Sequence, residues 1–481
     1  MAETNRKIPR RFFVVAGVIV VLTLALIVDL LYHRNRIYAG VYIGQVDVGK
    51  KTLDEAKQLL RESFNEAYFA QHKMEFSFEN ETWNFNLAEL GIKPDFEETS
   101  AQAFAVGRSG LHITSYPDRL ALVLSTLVVP PRLTVNKLMF RTAINEAVQA
   151  LRIEPKNASF SLSDDRKKVS IIPDILGQEL DIAAAYNALL LSLVDFPVVE
   201  AVSLTVKPVE AAHTTAFLES LKVIEPIASF STVFSMANSN RAHNIRLATS
   251  TLDDTLILPS GQFSYNETVG KASADRGYQP APVIVGGEIV EGVGGGVCQV
   301  SSTLYNALLL GNLNITERRN HGLVVGYLPQ GLDATVAYGW IDLKFLNQHP
   351  HAVWIRSFIN GSRLTINLYG LAVPGQEIKM ITQNLSTIPS GEKITLTPDL
   401  PKGTREKIKD GQPGYRVAVW RILLMHGKEM KREKISEDVY KSVPTEYLVG
   451  TKEPPPKPPE NLPDSPSTTP PNAPPAEGNR D

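Results

Sequence analysis

A single thiol at the start of a helical segment is the most reactive group in this sequence. Cys298 follows the glycine-rich run GGEIVEGVGGG at residues 286–296, and apolar residues then recur at helical spacing. Unpaired amides and the positive end of the helix dipole favour a thiolate there, so we expect a nucleophile. The alternative, a small buried hydrophobic residue, fits poorly with the polar neighbours Gln299 and Ser301.

Acyl transfer by a thiolate needs a general base and hydrogen-bond donors for the developing oxyanion. His321 is the nearest candidate base, 23 residues after Cys298, with a hydrogen-bonded structural histidine as the alternative. Either Asp333 or Asp342 could orient its imidazole, and the sequence leaves that choice open. The backbone amides of Cys298 and Gln299, with the Gln299 side chain, are candidate oxyanion donors.

Neither a cofactor nor a metal is predicted. The glycine run has no Gly-Lys-Ser/Thr after it and does not meet the G-x-G-x-x-G spacing, so it is not a phosphate loop. Because Cys298 is the only cysteine, the chain has no intramolecular disulfide and no cysteine-rich zinc cluster. His349 and His351 are weak metal candidates because no carboxylate partner is evident.

The whole chain has the composition of a modular globular protein. Its 481 residues leave room for about three domains, and 43% hydrophobic content excludes global disorder. The net charge of −2 provides no basic field for a nucleic-acid backbone, so no nucleic-acid partner is expected.

The N-terminal segment predicts a membrane anchor. Residues 12–31 form an apolar run with one charge and are long enough to span a bilayer core of roughly 30 Å. More basic residues precede the run than follow it, which favours a cytoplasmic N-terminus at residues 1–11 and an extracytoplasmic remainder. The alternative is a cleaved signal peptide, whose apolar region is usually shorter.

The C-terminal residues 453–481 predict a disordered tail. They contain eleven of the 32 prolines and almost no large apolar residue, so they cannot bury a core. A proline-rich ligand for a partner domain is the alternative.

Residues 37–125 and 126–212 are predicted to be two copies of one α+β unit. The stretch from Phe76 aligns with that from Phe160, which matches Gly91 with Gly177 and the two aspartates that follow. We expect each copy to form helix, hairpin and helix, with the glycine at positive φ and Asp95 or Asp181 as helix cap. This pattern resembles the peptidoglycan-binding domain that precedes VanW domains in bacterial surface proteins.

Residues 225–372 resemble a VanW domain in four ordered blocks. They are PSGQFSYNETVG (259–270), GGGVCQVSSTLYNA (294–307), ERRNH (317–321) and YLPQGLDATVAYG (327–339). Residues 373–452 are similar to the five-glycine (G5) extracellular β module, with a hairpin expected at YRVAVWRILLM and HGKEM. The predicted fold class is therefore α+β, modular and multidomain: one transmembrane helix, duplicated repeats, a mixed VanW domain, a small β module and a Pro-rich tail.

The VanW resemblance implies an activity. Some members are regarded as cysteine-dependent L,D-transpeptidases, which would make Cys298 the nucleophile and His321 the base in forming 3–3 cross-links. The sequence lacks the Ser-His-Gly-Cys pattern of the better-known L,D-transpeptidases, so that analogy is one of reaction. The alternatives are a non-catalytic peptidoglycan-binding scaffold and a vancomycin-resistance accessory protein.

The expected partners are peptidoglycan stem peptides and glycan, and the membrane through residues 12–31. Residues of the VanW-like blocks around the thiol are candidate substrate contacts. These are Gly294, Gly295, Gly296, Ser301, Ser302, Thr303, Tyr305, Arg318 and Tyr327.

Overall fold

Helices and strands are mixed up to residue 310, and the elements described after it are strands. The structure is a computed structural model that describes residues 10–108, 116–194, 196, 201–285 and 288–455. The helices are α1 (Arg10–Tyr32), α2 (Leu53–Ser63), α3 (Glu66–Gln71), α4 (Phe96–Ala105), α5 (Tyr116–Leu124), α6 (Lys137–Ala147), α7 (Ile182–Ser192), α8 (Thr215–Ser220), α9 (Ser239–Leu252), α10 (Tyr265–Val269) and α11 (Val297–Leu310).

The strands are short in the N-terminal half and long near the C-terminus. They are β1 (Val41–Ile43), β2 (Val46–Asp47), β3 (Lys73–Phe78), β4 (Glu81–Asn86), β5 (Ile92–Pro94), β6 (Leu127–Val129), β7 (Leu133–Val135), β8 (Ser159–Leu162), β9 (Val169–Ile172), β10 (Gly177–Leu180), β11 (Val202–Ser203), β12 (Val206–Val209), β13 (Glu225–Val233), β14 (Thr255–Ile257), β15 (Gln262–Ser264), β16 (Pro280–Val285), β17 (Glu288–Val293), β18 (Asn314–Glu317), β19 (Lys344–Leu346), β20 (Val353–Asn360), β21 (Arg363–Gly370), β22 (Gln376–Ile388), β23 (Glu392–Pro401), β24 (Arg405–Lys409), β25 (Gly414–Met425), β26 (Lys428–Tyr440) and β27 (Thr445–Lys452).

The apolar N-terminal segment forms one continuous helix. Helix α1 extends the predicted span 12–31 by two residues at its start and one at its end, and most of its apolar side chains are exposed. It is the one helix in the described residues that is long and apolar enough to cross a membrane. A signal sequence near an N-terminus has the same properties, so α1 is an anchor or a signal. Residues 1–9 of the predicted cytoplasmic segment and most of the predicted tail lie outside the described residues.

Two compact units divide the chain, the first comprising residues 1–159 and 172–215. Its small sheets are β2-β1-β6, β5-β7, β10-β12 and β11-β3-β4. Aromatic and aliphatic side chains of these strands and of α2, α6 and α7 share one buried core, in which Phe76 packs on Phe85 and Phe140. Each element is too short to be stable alone, so this shared core stabilises the unit.

Polar caps begin the helices of the first unit where the sequence predicts them. Asp95 accepts a hydrogen bond from the Glu98 amide at the start of α4, and Asp181 does the same for α7. Gly91 has the expected positive φ, +69°. The expectation for Gly177 is wrong: its φ is not positive, and a Cβ there would lie 2.4 Å from the Ile153 carbonyl oxygen. A close backbone approach requires this glycine.

Both predicted copies contain a hairpin, a short strand and an Asp-capped helix, in the order β3, β4, β5, α4 and β8, β9, β10, α7. The second hairpin differs in its packing. Residues 160–171 belong to the second unit, where Phe160 packs on Trp354 and the Arg166 guanidinium lies over the Phe358 ring. The predicted segment 126–212 is therefore divided between the two units.

The second unit contains residues 160–171 and 216–481. Its centre is an antiparallel sheet, β13-β21-β20-β14, against which α9 and α11 pack. Leu304 and Leu308 of α11 are fully buried with Ile366 and Leu368 of the sheet. A second sheet, β15-β19-β18, and the hairpin β16-β17 flank this centre. The hairpin leads directly into α11 and thus sets where that helix begins.

Long strands form the C-terminal part of the second unit, which we call the C-terminal module (residues 373–452); all its pairs are antiparallel except β23 with β27, which is parallel. Its sheets are β22-β25-β26 and β23-β27-β24. The predicted hairpin is present: β25 and β26 pair antiparallel through a turn in which His426 and Gly427 have positive φ. Val419 of β25 belongs to the same buried cluster as α11. The module and the preceding domain therefore share part of their core.

Candidate functional site

Cys298 lies in the first turn of α11, as its sequence context predicts. Helix α11 begins at Val297, and Gly296 is its N-cap with φ of +110°. A Cβ on Gly296 would lie 2.9 Å from Ile245 Cγ1, and one on Gly295 would lie 2.6 Å from the Ala281 carbonyl oxygen. The glycines thus allow a close backbone approach that puts the thiol at the helix N-terminus. Gly294 and Gly295 are buried, which leaves little surface for the predicted substrate contact.

The thiol is partly exposed, and one of its neighbours is a loop carbonyl. Cys298 Sγ is 3.5 Å from the Val336 carbonyl oxygen, to which it donates. The His321 imidazole is close enough to the Cys298 side chain for the sulfur to raise the pKa of His321. The structure therefore places the predicted nucleophile near the predicted base, on a residue that is only half-buried.

Asp333 is the carboxylate that orients His321. Its Oδ2 lies 2.6 Å from His321 Nδ1 and accepts a second hydrogen bond, also 2.6 Å, from the His321 backbone amide. His321 is 6% exposed and Asp333 is fully buried. Burial alone would lower the pKa of His321, but the hydrogen bond with Asp333 and the interaction with the Cys298 side chain outweigh it and raise the pKa to about 9. At neutral pH the imidazole is therefore a cation beside the sulfur.

Asp342, the other candidate, is not in this cluster. It accepts hydrogen bonds from the Ser264 hydroxyl at 2.5 Å and from the Asn266 amide at 2.9 Å. These bonds stabilise the start of α10, so Asp342 has a structural position away from the imidazole.

The predicted oxyanion role of the Gln299 side chain is not supported by its contacts. The Gln299 amide nitrogen donates to the Thr232 hydroxyl and the Val233 carbonyl, and its oxygen accepts from Arg241. Its backbone amide donates to the Gly296 carbonyl at 2.9 Å. The Cys298 amide remains as the candidate donor, because first-turn amides have no carbonyl partner within the helix.

Four of the predicted substrate contacts are buried inside the domain. Ser301 and Ser302 donate to main-chain carbonyls of Cys298 and Ala334, and Thr303 exchanges a hydrogen bond with Thr232 at 2.8 Å. The Tyr305 ring is also buried. Substrate cannot reach these side chains, so the structure corrects the prediction: Ser301, Ser302, Thr303 and Tyr305 pack α11 against its neighbours.

The remaining two predicted contacts differ in position. Arg318 is buried, and its guanidinium pairs with Asp438 at 2.6 Å and with Asp333 at 3.5 Å, so it supports the acid and does not face substrate. Tyr327 is half-buried and close enough to the thiol that a charge on Cys298 adds to the effect of burial in raising the pKa of Tyr327. Tyr327 stays a neutral donor beside the site.

The sequence did not indicate three residues of this cluster. Arg241 bonds to Gln299 and interacts electrostatically with Cys298 and Tyr327. From β26, Tyr440 bonds to Asp333, 107 residues away in the chain, and Asp438 bonds to Arg318, 120 residues away. A distant polar residue in an alternating strand gives no local signal of such a contact.

The two histidines considered as metal ligands bind main-chain carbonyls instead. His349 is 3.0 Å from the Gly311 oxygen and His351 is 3.0 Å from the Ala352 oxygen. Among the described residues, no group of three or more His, Cys, Asp or Glu side chains could hold a metal ion.

A separate basic cavity lies within the first unit. It has a volume of about 560 Å³. Polar and basic side chains of α6, β12 and the segment after α6 line it: Lys137, Arg141, Asn145, Gln149, Arg152 and Lys207. Acidic lining comes from Glu179, which pairs with Lys207, and from Asp181, which caps α7.

Three family models match this chain. Residues 240–369 match the model described as VanW like protein, and this segment contains Cys298, His321 and Asp333. The chain carries a VanW domain. Residues 83–195 match the model described as "Putative peptidoglycan binding domain", and residues 381–452 match that of the G5 domain. The order of the three domains is the one that the sequence predicts.

Two curated relatives are similar to part of the chain. "Uncharacterized protein YoaR" of Bacillus subtilis (strain 168) is 40% identical over 165 residues, which is 34% of this chain and 54% of the relative. "Vancomycin B-type resistance protein VanW" of Enterococcus faecalis (strain ATCC 700802 / V583) is 34% identical over 125 residues, 24% of this chain and 45% of the relative. The match thus spans about half of each relative.

Two solved structures are similar to a small part of the chain. "IgA1 Protease G5 domain structure" is 28% identical, with 16% of this chain and 93% of the solved chain covered and a TM-score of 0.13. "Crystal structure of HP0197-G5" is 23% identical, with 16% and 95% covered and a TM-score of 0.12.

The three domains and the apolar N-terminal helix make this a protein of the cell envelope associated with the cell wall.

Proposed function

We propose that this is a membrane-anchored protein that binds peptidoglycan and remodels it by cysteine-dependent L,D-transpeptidation. In this proposal α1 remains attached as a single-pass anchor, with a cytoplasmic N-terminus and the other domains facing the wall. The observation that carries it is the cluster of a solvent-reachable thiol, an imidazole and a buried carboxylate within one VanW domain.

Cys298 is the nucleophile of the proposed reaction, and His321 acts first as acid and then as base. Cys298 attacks the carbonyl of the third stem residue, and the Cys298 backbone amide donates to the oxyanion. The bond to the terminal D-Ala breaks as His321 gives its proton to the leaving amine, which leaves a thioester. The side-chain amine of a second stem then loses a proton to His321 and attacks the thioester carbonyl. The carbon–sulfur bond breaks, and the thiolate is restored.

The imidazolium has a direct physical role in the first step. A positively charged group beside a sulfur favours the thiolate, which is the nucleophilic form. The raised pKa of His321, about 9, means that this cation is present throughout the neutral range and can also supply the proton. Asp333 fixes the imidazole by its Nδ1 atom, which leaves Nε2 as the atom that exchanges the proton.

The test is a comparison of the full-length protein with Cys298→Ala on muropeptides that carry tetrapeptide stems. We expect wild type to form 3–3 linked dimers and a covalent adduct heavier by the acyl group, both detected by mass spectrometry. Cys298→Ala should form neither. Equal thermal unfolding of the two proteins is the control for folding. Dimers formed by Cys298→Ala would contradict the assignment of the nucleophile.

The second candidate is a peptidoglycan-binding scaffold without catalysis. The match to a peptidoglycan-binding model favours it, as does the basic cavity, whose lining lies in the matched segment except for Lys207; one relative is named a vancomycin resistance protein. Under this alternative the protein is an accessory of wall synthesis or resistance, and Cys298 and His321 are structural. Wild-type protein that binds purified wall but forms neither adduct nor dimer would support it.

Both candidates need a wall contact, for which we propose the basic cavity of the first unit. Stem peptides end in carboxylates, which complement Lys137, Arg141, Arg152 and Lys207. We expect Arg141→Ser to weaken binding to purified sacculi by about threefold to tenfold in a sedimentation assay. Lys73→Ser is the matched control, because it removes one positive charge from an exposed position on β3; this variant should bind as wild type. Equal weakening by both variants would mean that only net charge matters.

A further inference from the structure

The carboxylate of Asp333 is held from both sides. His321 occupies Oδ2, while the Tyr440 hydroxyl donates to Oδ1 at 2.5 Å and an Arg318 nitrogen lies 3.5 Å from the same atom. A carboxylate with only one bonded oxygen could rotate about its side-chain bond. Donors on both oxygens remove that freedom, so the direction of the imidazole depends on what holds Oδ1.

The residue that holds Oδ1 comes from the C-terminal module. Tyr440 is the last residue of β26 and is fully buried. Its oxygen also accepts a hydrogen bond from the Gly331 amide at 2.6 Å, two residues before Asp333. Burial, together with the charge of Asp333, raises the pKa of Tyr440, so the phenol keeps its proton and remains a donor at every physiological pH.

The same strand contacts the segment that leads to His321. Asp438 pairs with the Arg318 guanidinium at 2.6 Å, and the Val439 carbonyl accepts from Asn320 at 3.0 Å. The Lys441 amide donates to the Gly322 carbonyl at 2.9 Å. Residues 438–441 therefore contact residues 318–322, which precede and follow His321 in the chain.

Close packing also brings the module against the loop that carries Asp333. A Cβ on Gly331 would lie 2.3 Å from Val419 Cγ2 on β25. Gly331 has φ of +86°, so this close approach and the turn both require glycine. The loop is thus shaped by the module as well as by its own domain.

We propose that Tyr440 and Asp438 are positioning residues for the His321–Asp333 pair, and that the C-terminal module completes the thiol site of the VanW domain. This inference rests on the proposed function in one respect only, namely that the pair serves Cys298. It assigns to the G5 segment a role at the site, in addition to any contact with the wall.

The two residues act on the imidazole in opposite directions. The Tyr440 hydroxyl points its positive hydrogen at Asp333 and so reduces the negative potential at His321. Asp438 neutralises part of the Arg318 charge and so reduces the positive potential there. The titratable and charged groups of the cluster around His321 are Cys298, Asp333, Arg318, Asp438, Tyr440, Tyr327 and Arg241.

The test measures the titration of His321 in the full-length protein, by NMR of labelled imidazoles with assignment from His321→Gln. We expect Tyr440→Phe to raise the pKa of His321 and Asp438→Asn to lower it, each by about 0.5–1 pH unit. Glu437→Gln is the matched control, because this neighbour on β26 pairs with Arg416 and Lys434 and should leave the titration unchanged.

A purely structural contact would give a different result. Tyr440→Phe keeps the ring in the core, so a module that only packs would leave the His321 titration at its wild-type value in both variants. That outcome would overturn the proposal. The rate of Cys298 alkylation, measured as a function of pH, provides a second readout. The change in this rate at high pH should shift in the same direction as the pKa of His321. Neither measurement requires cross-linking activity, so the inference and the proposed transpeptidation can fail separately.

Discussion

A buried carboxylate with a buried cation on each side governs the chemistry at the scale of single residues. Asp333 would be unstable as an isolated charge in this environment, but His321, Arg318 and Tyr440 all bond to it. Burial raises the pKa of Asp333, but these partners lower it by more, so its pKa is below the ordinary value and the acid is ionised in the folded protein. The consequence is a fixed negative charge that keeps His321 protonated.

The raised pKa of His321 predicts a pH dependence of stability. The folded value of about 9 exceeds the unfolded value near 6.5, so the protonated imidazole stabilises the fold fully below pH 6.5. This contribution, on the order of 3 kcal/mol, is lost as the pH rises through 9. Urea unfolding at pH 6 and pH 10 should show a larger decrease for wild type than for His321→Gln. An equal decrease in both proteins would contradict the charged state.

At the scale of elements, the start of α11 decides where the thiol lies. Gly296 combines φ of +110° with a Cβ position 2.9 Å from Ile245 Cγ1. We expect Gly296→Ala to destabilise the protein by about 1–3 kcal/mol and to slow Cys298 alkylation, because the first turn must shift. Gly326→Ala is the control: it has no atom within 4 Å of the new Cβ and an ordinary φ. Unchanged stability and alkylation in Gly296→Ala would contradict this account.

Local sequence patterns predicted the elements better than the contacts between them. The start of α11, the capping aspartates and the hairpin β25-β26 all follow from signals within a few residues. The choice between Asp333 and Asp342 depends instead on long-range packing, which no local pattern encodes. Polar residues in α11 were also misleading, because the Ala334 carbonyl of a distant loop satisfies Ser301 and the Cys298 carbonyl one turn back in α11 satisfies Ser302, which allows full burial.

At the scale of the whole molecule, the place where the proposed reaction occurs depends on whether α1 stays attached. The positions between the helix and the first domain carry Arg34 and Arg36, and α1 runs without a break to Tyr32. Cleavage by a signal peptidase favours a short apolar region followed by small residues, which this segment lacks. We therefore expect α1 to remain as an anchor. The thiol site would then face the wall and stay close to the membrane.

Fractionation of cells that produce the full-length chain checks this prediction. The protein should sediment with the membrane, resist extraction by high salt and show an intact mass that includes residues 12–31. A protease added outside protoplasts should degrade the Cys298 domain and leave only the N-terminal residues protected. The control is a chain in which Arg34 and Arg36 are both changed to alanine, which supplies small residues at the site and should favour release. A wild-type protein found in the medium without its apolar helix would contradict anchoring, and the site would then act wherever the wall binds it.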